Sequence, residues 1–262
     1  MPGADVMTAT LAVAVGNYVD GLPPRPLRRH VRRVWTYRLP DRDVGPVVVV
    51  PDGRIDLRWV EGRLSVDGPH REAMAEMLAP GALVVGVTFQ PGAAPRWLGL
   101  PASDIADRCV ALEDIWGGEA RRLAEWAGEA RTPAGIARRL EMALGDRAAA
   151  GPADAEMRRV FAALAGATAT PIPDVAAVAA RLGLGERTLR RRCHAAFGYG
   201  PKTLARILRF QRFLRLAYRC QGEAALARCA GEAGYADQAH LSREARRLSG
   251  LSPRAIAAQL AR

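Results

Sequence analysis

Residues 183–191 read Gly183-Leu184-Gly185-Glu186-Arg187-Thr188-Leu189-Arg190-Arg191, and residues 234–243 read Gly234-Tyr235-Ala236-Asp237-Gln238-Ala239-His240-Leu241-Ser242-Arg243. Each stretch is a glycine turn running into a helix, and the two are copies of one unit. Leu189, Gly198 and Pro201 map onto Leu241, Gly250 and Pro253 at an offset of 52. Upstream, Ala179 maps to Ala230 and Gly183 to Gly234 at an offset of 51, because the second turn holds one extra residue. Asp174 suits the N-cap of a helix over Val175–Leu182, whose stripe is Val175, Val178, Ala179 and Leu182. A second helix begins near Glu186 and ends at Gly198. Pro201 then starts a long helix reaching about Arg219.

Such turn glycines permit the close crossing of a helix-turn-helix, whose second helix enters a DNA major groove. With Leu189 and Cys193 inward, Arg187, Arg190, Arg191 and His194 share the opposite face of the first reading helix. Guanidinium groups there suit guanine O6/N7 or phosphate. In the second unit Asp237 is the expected N-cap and Leu241 points inward. Gln238, Ser242 and Arg243 project near the helix start, Gln suiting adenine and Arg guanine. Arg246 and Arg247 lie further along, toward the DNA backbone. On the connecting helix Lys202, Arg206 and Arg209 share one side, where phosphate contact and plain solvation are equal readings. A run such as Arg190–Arg192 is, alone, as readily a solvated face. Its place inside a duplicated turn unit favours DNA.

Charge points the same way. The 262 residues hold 38 Lys and Arg against 27 Asp and Glu, a net +11. Residues 1–150 carry 19 of each sign, whereas residues 151–262 carry 19 basic and 8 acidic side chains. A neutral module joined to a cationic one is expected, the latter seeking polyanions: nucleic acid first, an acidic membrane surface second. A hydrophobic fraction of 49% supplies a core for each half. No apolar run reaches the roughly 18–20 residues of a membrane span. Leu11–Val15 is too short for a secretory signal and lacks its basic lead. Cys109, Cys193, Cys220 and Cys229 form no CxxC, so they read as reduced thiols of a cytoplasmic protein.

The expected organisation is a flexible lead-in over 1–22, a sensor or dimerisation domain over 23–145, a linker over 146–153 and a DNA-binding domain over 154–262. In the first half Val31–Leu39 and Ala82–Phe89 read as strands. Val47–Val50 and Ile55–Val60 read as a hairpin about Pro51-Asp52-Gly53. Glu119–Glu129 and Ala134–Leu144 read as a helical pair. The fold class is therefore α+β, a small sheet plus two helices, followed by an all-α domain. That second domain holds two helix-turn-helix units joined by a long helix.

The tail resembles the AraC/XylS family of transcriptional regulators. The resemblance rests on both quoted stretches, on Gly250-Leu251-Ser252-Pro253, and on the spacing between the units, and it covers roughly residues 155–260. It implies that Arg187, Arg190, Arg191, Gln238, Ser242 and Arg243 match base-contacting positions, in two helices that enter successive major-groove segments. Two positions depart: Ala245 and Cys193 stand where aromatics are usual. The N-terminal half looks like a sensor-type domain fused to such tails, through Pro51–Leu57, Phe89–Ala94 and Leu112–Gly117. The implied partner is double-stranded promoter DNA, with RNA polymerase, a small-molecule effector and a second copy of the chain as further candidates. No membrane partner and no cofactor is implied.

For chemistry in the first half there is little material. The cupin-type His-x-His pattern is missing; only His30 and His70 are available, and no metal site is assigned. Phosphate-loop and dinucleotide glycine patterns are missing too. His70 with Asp52 or Asp56 is conceivable as a catalytic pair, but a lone histidine is more often structural. No enzyme is expected. Arg54, Arg58, Trp59, Phe89 and Trp97, with Trp35, are candidate pocket residues, although strand-core packing suits most of them better. Two other readings remain: an N-terminal enzyme carried to DNA by the basic domain, and a non-specific binder of DNA or anionic surfaces.

Overall fold

The computed structural model describes residues 10–147, 154–166, 175–219 and 223–261. Asp174, Cys220 and nearly all of the expected linker lie outside these residues. Among the described residues, the N-terminal half contains nine strands: β1 (Thr10–Leu11), β2 (Asn17–Gly21), β3 (Val31–Arg38), β4 (Val47–Val49), β5 (Asp56–Val60), β6 (Arg63–Asp67), β7 (Met74–Glu76), β8 (Leu83–Phe89) and β9 (Cys109–Ala111). Five helices accompany them: α1 (Ala12–Val15), α2 (Ala94–Leu98), α3 (Glu113–Trp116), α4 (Gly118–Gly128) and α5 (Pro133–Arg147). Six strands form an antiparallel sheet in the order β2-β3-β8-β5-β6-β9, and β1-β4-β7 form a second, smaller sheet.

Side chains alternate across a strand, so the register sorts the large sheet into two faces. Val34, Leu57, Trp59, Val66, Val85 and Val87 line one face and bury against α4 and α5, the expected helical pair. The opposite face is polar and aromatic. Arg33, Thr88, Asp56 and Asp67 form one cross-strand row on it, and Trp35, Gly86, Arg58 and Ser65 form the next. A Cβ on Gly86 would lie 2.2 Å from the Trp35 ring, so the indole rests directly on bare backbone.

Two expectations are corrected. The described part of the lead-in, residues 10–21, is ordered: β1 and β2 enter the two sheets, with the short α1 between them. β2 pairs with β3 along its whole length, and Leu11 is 2% exposed. Its short apolar run is too small to signal anything alone, but it gains a strand partner in β4. Nor do Val47–Val49 and Asp56–Val60 form a hairpin. β4 pairs with β1 and β7, whereas β5 pairs with β6 and β8. Gly53, at φ +80°, turns the chain out of one sheet and into the other.

The C-terminal half is helical: α6 (Ala155–Ala165), α7 (Val175–Arg181), α8 (Glu186–Phe197), α9 (Pro201–Arg219), α10 (Glu223–Ala233), α11 (Gln238–Ser249) and α12 (Pro253–Leu260). Gly198 and Gly250 end α8 and α11 in the left-handed conformation that glycine adopts freely. Asp237 caps α11 by accepting from the His240 N–H at 2.6 Å, and Ser252 caps α12. Leu189, Cys193, Phe197, Phe210, Phe213, Leu241 and Ala245 are all buried in one core. Cys193 and Cys229 are therefore packing residues. Burial pushes the Cys193 thiol up to about 12, so it stays protonated.

This core does not stop at the boundary between the halves. Leu11 and Val48 belong to it. Gln259 accepts from the Leu11 N–H at 2.7 Å, and the Gln211 amide donates to the Pro51 carbonyl at 2.8 Å. Arg54 stacks on Phe161 at 5.3 Å. Gly92 leaves room for Met157, and Gly198 leaves room for Pro69.

Candidate nucleic-acid interface and interdomain cavity

On α8 the spacing of Leu189 and Cys193 fixes which side turns out. Arg187, Arg190, Arg191 and His194 are exposed, and with Thr188 they line a shallow concavity. The three-arginine run splits. Arg192 turns the other way and pairs with Asp154 at 2.9 Å and with Glu156, both at the start of α6. Its charge anchors the first unit instead of facing solvent.

On α11, Gln238 and Arg243 are exposed and Ser242 is half-buried. Arg246 and Arg247 are exposed one turn on. No described acidic group is paired with Arg187, Arg190, Arg191, Arg243 or Arg246 in an ion pair of 4 Å or less. Each recognition helix thus presents a cationic, hydrogen-bonding face of the size a major groove admits.

The connecting helix departs from expectation. Lys202 is exposed. Arg206 is engaged within the protein: its Nε and Nη2 donate to the two carboxylate oxygens of Glu244 at 2.9 and 3.0 Å. Arg209 is 9% exposed and lies over the Tyr235 ring at 5.5 Å. Both are drawn inward because α9 is covered by α10 and α11, which a helical wheel of α9 alone does not reveal.

The expected pocket residues are also redistributed. Trp59 donates to the Ala124 carbonyl from within the core, and Phe89 packs on Trp97 there. Arg54 pairs with Asp52 and covers Phe161. Arg58 and Trp35 do line a cavity, which lies on the opposite face of the sheet and holds about 510 Å³. Its walls are Trp35, Tyr18 and Tyr37 from the large sheet and Val47–Val50 from the small one. Leu214 and Gln211 of α9 and Leu260 of α12 complete it. It sits between the two halves, built by both.

The polar floor of this cavity is a linked set. Arg58 is 5% exposed and bridges Asp67 at 2.5 Å to Glu76 of the small sheet at 2.6 Å. The Thr88 hydroxyl accepts from Trp35 Nε1 at 3.1 Å and from Arg33 Nε at 3.3 Å, and Thr88 stands opposite Asp56 in the strand register. Burial and the nearby Asp52 push the Asp56 carboxyl up to about 7. In sequence Asp56 and Arg58 read as the wet side of a half-buried strand. A second layer covers them, and the polar alternation of β3 and β5 was the available signal. Among the described residues, no group of three or more His, Cys, Asp or Glu side chains is placed to hold a metal. Likewise no helix is long and apolar enough to cross a membrane.

Comparison with known families matches residues 178–259 to a helix-turn-helix domain and residues 21–111 to a domain of unknown function (DUF6597). No curated protein sequence matches the chain. Among solved structures, an apo single-residue variant of ToxT from Vibrio cholerae strain SCE256 is similar at 10% identity, covering 94% of this chain and 97% of that one, with a TM-score of 0.49. Unsaturated fatty acid-bound wild-type ToxT from the same strain is similar at 12% identity over 93% and 94%, with a TM-score of 0.47. ToxT from Vibrio cholerae O395 is similar at 10% identity over 86% and 96%, with a TM-score of 0.48.

Proposed function

We propose, from the premise that residues 178–259 are an AraC-type helix-turn-helix domain and make the chain a DNA-binding transcription regulator, that it reads a specific promoter sequence with two helices. The supporting observation is the duplicated, glycine-closed unit that exposes Arg187, Arg190 and Arg191 on α8 and Gln238 and Arg243 on α11. Ser242 joins them at the edge of α11, while Lys202 and Arg246 contact phosphates. Affinity then comes from the net positive charge of this half and specificity from the base-facing side chains.

The N-terminal half acts as a sensor and carries out no reaction. Its effector site is the cavity of about 510 Å³ that both halves line. A ligand there touches α9 and the sheet together, so it stabilises one placement of the recognition helices over another. The protein works in the cytoplasm. RNA polymerase and a second copy of the chain are its further partners on DNA.

A random-sequence DNA selection with the full chain at near-physiological salt tests the first claim. It should return one motif long enough for two successive groove segments. A flat profile, with equal affinity for anionic vesicles, would favour the non-specific binder. Turnover of a cavity-sized compound by the full chain would overturn the sensor reading.

A further inference from the structure

The lining of the interdomain cavity specifies a chemical class of ligand, an inference that rests on the cavity being the effector site. Three arginines stand on or beside its floor, and each already has an acidic partner. Arg58 is held by Asp67 and Glu76, Arg54 by Asp52, and Arg33 by Thr88 with Asp20 at 3.9 Å. Arg215 and Arg219, on the same face of α9 as Gln211 and Leu214, line the cavity where it opens to solvent. Asp56 differs. Its Oδ1 is shut off from solvent and meets no donor, and its cross-strand neighbour is Thr88.

A buried acceptor without a donor is costly, and a carboxylate more so than a neutral group. The charges nearest Asp56 deepen that deficit, because the effects of Asp52 and Asp67 outweigh the compensation from Arg33. An arriving anion would add a further like charge to this set. An arriving cation would supply both the missing donor and the missing charge. Beside Asp56, Trp35 lines the cavity with its indole N–H already used on Thr88, and with Tyr18, whose ring centroid is 5.8 Å from its own, it offers an aromatic edge to an ammonium group. Above this floor the walls are apolar, formed by Val49, Val50 and Leu214.

We propose that the cavity binds an amphipathic organic cation, with its ammonium group against Asp56 and Trp35 and its apolar tail along Val49, Val50 and Leu214. Recognition is then by one charge-assisted hydrogen bond at the sheet and by burial of the tail between the two halves.

Calorimetric titration of the full chain with decylamine, decanol and decanoate separates head-group charge from tail. At about pH 8 the amine is charged and Asp56 is mostly ionised, so decylamine should bind about tenfold or more tighter than decanoate. Asp56→Asn should bring decylamine down to the level of decanol and leave decanol within about twofold of its wild-type affinity. Trp35→Leu should likewise weaken decylamine more than decanol, which gives a second route should Asp56→Asn misfold. Decanoate binding as tightly as decylamine would overturn the inference, as would a folded Asp56→Asn with unchanged decylamine affinity. If decanol or decanoate binds and alters DNA affinity in either of those cases, the effector-site reading survives alone. If none of the three binds, both readings fall.

Discussion

Arg206 and Glu244 form a two-point ion pair that ties the connecting helix α9 to the second recognition helix α11. Their side chains are only 21% and 15% exposed. The flat guanidinium fixes both distance and tilt between the helices, which a single-point contact would not. Arg206→Ala should destabilise the chain by about 1.5–3 kcal/mol in urea denaturation. Its effect on DNA should be lost discrimination with an unchanged salt slope, because no phosphate contact disappears. A salt slope that falls by about one would instead identify Arg206 as a phosphate ligand.

Lys202 is the contrasting residue. It is exposed, and Lys202→Ala should weaken binding to all sequences alike and flatten the salt dependence. Arg190→Ala and Arg243→Ala should each cost roughly 1–3 kcal/mol on the selected site and relax preference at one base pair. Competition binding against single-base variants of that site separates the two patterns.

Asp56 predicts a pH dependence of stability. Its folded pKa of about 7 lies above the ordinary 3.8, so the folded state holds a proton that the unfolded state has released. Between these values stability falls as pH rises. Thr88, Asp52, Asp67, Arg33 and Arg58 face it from β8, the turn before β5, β6, β3 and β5. Asp56→Asn should therefore melt above wild type at about pH 8, with the gap closing toward about pH 4. Thermal melts across that range would show a constant gap if Asp56 were ordinarily solvated.

Gly86→Ala should displace the Trp35 ring, since the new methyl would stand 2.2 Å from it. The expected cost is about 1–3 kcal/mol. Trp35 fluorescence should shift as its N–H leaves Thr88. An unshifted spectrum with unchanged stability would show that the indole does not rest on that backbone.

The C-terminal half was largely legible in sequence because its signals are local. Turn glycines, the Asp237 cap and the Leu189 and Leu241 faces sit within one helical turn of what they determine. Arg206 and Arg209 turn inward, which the sequence did not show, because their partners lie 38 and 26 residues away, on a helix and in a turn whose packing no periodicity encodes. The cavity was only partly legible, through Arg58 and Trp35, for the same reason. Asp56 looks like any polar residue of an alternating strand until the small sheet and α9 cover it. The hairpin expectation failed because Val47–Val50 is apolar on both sides and carries no register.

Two of the contacts that close the seam, Leu11 with Gln259 and Gln211 with Pro51, are hydrogen bonds between backbone on one side and glutamine on the other. They are directional, and each engages a main-chain group that any substitute sequence would also possess. A chimera placing this tail behind a different N-terminal domain would keep such partners only if its backbone followed the same path past residues 11 and 51. Gly53, Gly92 and Gly198 are stricter, because only the absence of a side chain admits Leu204, Met157 and Pro69 there. The transplantable unit is therefore larger than the helix-turn-helix units: it includes the strand ends and glycine notches that receive them.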